Sequence, residues 1–206
     1  MRFFRDLSLG AKVAASFAVV GVASAVAGLG TFATFTSSTA ASNTVATGTV
    51  SIALGATGAS TNRLNINASE VAAGDTIQRS VDLSNVGSTI DLASIVLDTT
   101  AAPSSLLDTD TTDGLQMVIQ ACDVPWTESG PPYTYTCSGS TTSVLATRPV
   151  IGATIALSNL TALTAGITDH LRVTLTLPGT AGNTLQGLTS TITYTFSGIQ
   201  RAATNK

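Results

Sequence analysis

With 206 residues, a net charge of −3 and only 10% Asp, Glu, Lys and Arg, the chain has room for an export signal and one domain large enough to bury a core. From Val13 to Asn62 there is no charged residue, so hydroxyls and amides must solvate much of the surface. Nucleic acid is excluded as a partner: without Arg2, Arg5 and Lys12 the remainder is acidic and offers no basic patch to neutralise phosphates.

In chain order, Arg2, Arg5 and Lys12 form a positive n-region diluted by Asp6, and Val13 to Leu29 is an apolar h-region. Thr31-Phe32-Ala33 places small residues at −3 and −1, which predicts cleavage between Ala33 and Thr34 and a signal peptide over 1–33. The rival is a retained anchor, since Val13 to Gly30 is 18 uncharged residues and a spanning helix needs ~20. That stretch is Ala, Gly and Val rather than Leu and Ile, which makes it a weak anchor. Residues 34–49 form an uncharged, alternating Thr, Ser, Ala and Val segment, and 50–206 form the folded domain.

Past Thr34 the pattern is β. "VSIAL" (50–54), "RLNIN" (63–67), "RSVDLSN" (79–85), "LQMVIQA" (115–121), "LRVTLTL" (171–177) and "STITYTF" (190–196) alternate apolar with polar residues, as strands with one buried face do. "LASIVLDT" (92–99) is more continuously apolar and reads as a central strand or one that leaves its sheet into a long loop. Clusters such as "NVGS" (85–88), "APSS" (102–105) and "LPGTAGN" (177–183) supply turns. Many short strands with Gly and Pro turns predict an all-β, two-sheet antiparallel sandwich of the jelly-roll or immunoglobulin-like kind.

Cys122 and Cys137 are the only cysteines. In an exported chain an even count predicts a disulfide rather than a redox or metal pair, because the spacing is far from C-x-x-C and no second Cys pair or nearby His completes a zinc set. The stretch between them, with Pro125, Trp126, Pro131 and Pro132, reads as a projecting hairpin loop pinned at its base. Trp126 either packs on that base or, with Tyr133 and Tyr135, presents an interaction surface.

Little else carries chemistry. His170 is the sole histidine, and Glu70 and Glu128 are the sole glutamates, so an H-E-x-x-H hydrolase is excluded at the motif level. Asp169 adjoins His170, but neighbours on a strand face opposite ways, which places it badly to orient the imidazole. "DTDTTDG" (108–114) departs from the calcium-loop pattern at Thr112 and lacks the downstream Glu, leaving a solvated acidic turn. "LPGTA" (177–181) lacks the apolar segment and basic tail of a sorting signal. No catalytic residue, metal ligand or cofactor is assigned.

Three blocks carry a family resemblance. "LSLG" with the apolar run and "GTFATF...NTVATGTVSIAL", then "LNINASEVAAGDTIQRSVDLSNVGSTIDLASIVLD" (64–98), and finally "GNTLQGLTSTITYTFSGIQ" (182–200) resemble, in order and spacing, the TasA/camelysin family of Gram-positive biofilm-matrix proteins. The resemblance implies a jelly-roll-like sandwich, processing by a dedicated signal peptidase, and secretion to the cell surface or matrix. It also implies self-assembly into fibres by donor-strand exchange, with an accessory matrix or anchoring protein as a further partner. On that reading residues 34–49 are the donor segment, with Thr34, Phe35, Val45 and Val50 as candidate donor residues; the alternative is an ordinary edge strand within the same subunit. Camelysin is also described as a metallo-endopeptidase, an activity that one His and two Glu cannot be mapped onto. A monomeric surface adhesin presenting the Trp126 loop is the alternative function.

Overall fold

The computed structural model describes residues 49–65 and 71–204, all within a compact unit spanning Ala46–Lys206. The leader, the Ala33/Thr34 cleavage site, and Thr34, Phe35 and Val45 lie outside the described residues. Two antiparallel sheets pack face to face. One has the order β1 (Ala53–Leu54), β2 (Thr76–Ser84), β9 (Thr168–Thr176), β4 (Gln116–Cys122), β7 (Thr141–Pro149). The other has the order β10 (Ile192–Gln200), β3 (Leu92–Ala101), β8 (Gly152–Ala156), and a separate hairpin pairs β5 (Thr127–Ser129) with β6 (Thr134–Thr136). Among the described residues no helix is long and apolar enough to cross a membrane.

Alternation explains which face is inside. In β9 the residues Leu171, Val173 and Leu175 are buried while the intervening positions are half-exposed. Register then builds layers: Val81, Leu171 and Ala121 stand opposite one another across three strands, as do Ile77, Leu175 and Met117. Ile95 and Leu97 of β3 and Ile155 of β8 close the core from the second sheet. Each such side chain, taken fully out of water, contributes roughly 1.5–3 kcal/mol.

The "LASIVLDT" run is β3, the central strand of its sheet. The expected strand "RLNIN" is not one over Arg63 to Asn65: this stretch is coil and turn, with a single bridge from Asn62 to Val81. "VSIAL" shrinks to the two-residue β1. "LPGTA" is the turn after β9, where the Ala181 N–H donates to the Pro178 carbonyl at 2.9 Å. A single helical turn, α1 (Leu106–Thr109), is capped by the Ser105 hydroxyl, which accepts from the Leu107 N–H. The Asp108 carboxylate reciprocates on the Ser105 N–H in a capping box.

The two seams of the sandwich differ. On one side the chain passes from β7 to β8 through Val150 and Ile151, with Val150 fully buried. There the Thr99 hydroxyl donates to the Val150 carbonyl at 2.6 Å and accepts from the Gly152 N–H at 2.9 Å, tying the sheets together. On the other side β1 and β10, the end strands of the two sheets, flank one cleft, and among the described residues no strand joins them.

Candidate functional site

At the open seam the described residues leave the outer edge of a strand without a partner strand. Among the described residues β10 is an edge strand, pairing only with β3 over nine residues, with one irregularity at Ile199/Gln200. "ITYTFSGIQ" carries no charge and no Pro. Natural edges are usually blunted by Lys, Pro, bulges or shortness; over 192–199 β10 carries none of these, its one irregularity falling at the last residue, so that stretch is an unguarded template for a further strand. Beside it a shallow apolar cleft is lined by Ile52, Ala53, Leu54, Leu83 and Phe196. The other edges are better protected: β7 has two register shifts against β4 and ends in Arg148 and Pro149, and β8 is five residues long with Thr154 at φ 51°.

Of the four candidate donor residues only Val50 is described. Its neighbours hold it to its own subunit. The Thr49 N–H donates to Thr89 Oγ1 and the Ser51 N–H to Ser88 Oγ, both at 2.8 Å. These bonds tie Thr49 and Ser51 to the turn between β2 and β3, so a donor-strand reading would confine the donated segment to 34–48.

The hairpin is the second feature. Cys122 and Cys137 are joined, with Cα atoms 5.9 Å apart. Rather than projecting, the hairpin lies on the outer face of the five-stranded sheet. Trp126 is 9% and Tyr135 5% exposed, so packing on the base describes Trp126 and little of either ring is presented. The indole N–H donates to the His170 carbonyl at 2.9 Å, and the Arg172 guanidinium stacks 4.4 Å from the Trp126 ring. Arg172 also donates to the Tyr135 carbonyl at 3.0 Å and to Gln120. At the far edge Arg63 pairs with Glu128 through two bonds of 2.6 and 2.9 Å, and the Tyr135 hydroxyl donates to the same carboxylate at 2.8 Å. The guanidinium groups of Arg63 and Arg79 both approach the Tyr133 ring, 4.9 and 5.5 Å from its centroid. The Arg63 hydrogen bond, with help from Tyr135, holds the Glu128 carboxyl below its ordinary range, and burial pushes Arg172 down.

The remaining polar groups have structural partners. His170 Nδ1 is 2.7 Å from Asp82 Oδ1 on the paired strand. Asp169, on the opposite face, accepts from the Thr161 and Ala162 N–H groups and from the Thr161 hydroxyl. It thus anchors the loop before β9 and leaves the imidazole to Asp82. In the acidic turn, Asp110 accepts from the Thr112 and Asp113 N–H groups at 2.9 Å each, the geometry of a local Asx turn.

Zinc proteases hold their metal with three protein ligands, usually His and a carboxylate, and leave a position open. The described residues do not fit that requirement. Their one close trio of ligand types is Cys122, Asp123 and Cys137, and both sulfurs are consumed in the disulfide. Glu70 lies outside the described residues.

A search of curated proteins finds no match. The family model for camelysin metallo-endopeptidase matches residues 8–122, a span that runs through the 34–49 segment and β1 to β4. That stretch exceeds half of the chain, which belongs to the camelysin family.

Proposed function

We propose that this chain is an exported structural subunit that polymerises into cell-surface or matrix fibres, its own residues 34–48 completing the sheet of a neighbouring copy. The observation that carries the reading is the unguarded edge of β10 beside an apolar cleft, in a chain whose N-terminal segment is uncharged and alternating. Strand addition draws affinity from main-chain hydrogen bonds and register from alternate side chains, and both partners are of the type required. Family membership, the leader pattern and a disulfide all agree with an oxidising, extracellular setting. The partners on this reading are further copies of the chain, a signal peptidase and an anchoring protein.

On this reading the subunit's role is structural rather than catalytic. The endopeptidase in the family's description needs a ligand set that the described side chains do not supply. A proteolysis assay with and without a chelator checks this, and chelator-sensitive cleavage by the purified chain would overturn it. For the fibre reading, the test is negative-stain electron microscopy of 34–206 beside 49–206. Fibres from the first and folded monomers from the second are expected. Monomers from both at high concentration would refute it.

A further inference from the structure

Of the seven large apolar side chains exposed among the described residues, Leu54 and Ile199 lie on β1 and β10, and the other five lie at the two ends of the sandwich. At one end Val86 in the β2–β3 turn is 63% exposed, with Ile167 and Val50 beside it. Backbone bonds gather these three: the Asn85 N–H donates to the Ile167 carbonyl at 2.9 Å and the Thr89 N–H to the Thr49 carbonyl at 3.0 Å. At the other end Leu106, 50% exposed, opens α1 and Leu188 precedes β10. The segments that carry them are joined where the Thr191 N–H meets the Pro103 carbonyl and Ser105 Oγ meets Ser190 Oγ. β3 fixes the ends as opposite: it starts at Leu92, bonded to Leu163 beside Asn85, and finishes at Ala101, paired with Ile192.

The placement is not what solubility calls for. Where the middle of β10 faces solvent it uses Thr, at Thr193 and Thr195. The turn Asn85-Val86-Gly87-Ser88 needs no apolar residue at its second position. Two different apolar surfaces at opposite poles are what a head-to-tail contact requires, and such a contact opens into a filament when its rotation does not close.

We propose that the Val86 end of one copy packs against the Leu106 end of the next, stacking subunits along the strand direction; this rests on the fibre reading above. The geometry is consistent with strand donation. Thr49 sits at the Val86 end, so residues 34–48 depart through the proposed contact into the neighbour's Leu106 end, where β10 begins. The donated segment then runs antiparallel to β10, like every other pair in the fold. At ~3.3 Å per residue its 15 residues reach ~50 Å, more than the ~30 Å of β10.

The test uses Val86→Asp and Leu106→Asp in the chain 34–206. Turn and helix-start positions tolerate Asp, and circular-dichroism melts matching the parent establish folding; Ile167→Ser and Leu188→Ser serve as a milder second pair. Each variant alone should need at least a tenfold higher concentration to form fibres. Mixed in equal amounts, the two retain one intact contact and should sediment as heterodimers where neither assembles alone. Folded variants that polymerise like the parent, or a mixture that stays monomeric, overturn the end-to-end contact while leaving strand donation standing. A parent chain that never polymerises overturns the fibre reading itself.

Discussion

Replacing Trp126 by Ala asks whether the disulfide-bounded hairpin is part of the folded body or a surface device. The ring is 9% exposed, and a buried Trp removes about 200 Å² from water. At ~25 cal/mol per Å² this is about 5 kcal/mol, and a compact denatured state lowers it to about 3–4.5 kcal/mol. Losses of about 3–5 kcal/mol are typical when a buried aromatic is truncated to Ala. Stacking on Arg172 and the bond to the His170 carbonyl sit on top of the area term. For a domain of this size about 4 kcal/mol lowers Tm by roughly 8–16 °C, measurable by calorimetry. Trp126→Phe keeps most of the packing, loses the N–H donor, and should cost about 1 kcal/mol beyond its smaller ring. A fall in Tm below about 2 °C for Trp126→Ala would refute the docked hairpin and return Trp126 to the role of an exposed anchor.

Other outcomes follow from the same network. The double variant Cys122→Ser, Cys137→Ser opens a loop of 15 residues' separation, and chain entropy puts the loss at about 3 kcal/mol, read from urea unfolding with and without reductant. Arg63 holds Glu128 below its unfolded pKa, so the stabilisation is complete above about pH 4.5 and is lost as pH falls through the folded value. Glu128→Gln should therefore lower stability at pH 7 and converge on the parent in acid; a gap that stays constant down to pH 2 would exclude the ion pair as its cause. Asp108 behaves in the same direction: burial pushes its carboxyl up, but bonds from Ser190, Ser105 and Ser104 outweigh it, and Asp108→Asn should be most harmful at neutral pH.

Much of the sandwich is written in local alternation. β4 and β9 announce themselves because buried and half-exposed residues alternate along them, and β2 and β10 because apolar and polar residues alternate over most of their length in sequence. β7 and β8 do not. Two register shifts break the alternation of β7, and the left-handed Thr154, held by its N–H to Asp98 at 2.8 Å, breaks that of β8. Over Arg63 to Asn65 "RLNIN" misleads in the opposite sense: Arg63 is polar because it reaches Glu128, not because it alternates in a sheet, and it is the preceding Asn62 that bridges to β2. Asp82 as the partner of His170, and Arg63 as the partner of Glu128, lie 88 and 65 residues away. No spacing rule reaches so far; only register brings them together. That Asp169 points away from the imidazole was legible from strand geometry; that Asp82 pairs with it was not.

The central claim is that β10 accepts a strand from another copy, and the most direct measurement is amide hydrogen exchange on the chain 49–206 with and without a synthetic peptide of residues 34–48. Strand addition predicts slowed exchange at outward amides of 192–200, with β7 unchanged. Exchange along β10 that the peptide leaves untouched at saturating concentration would contradict it.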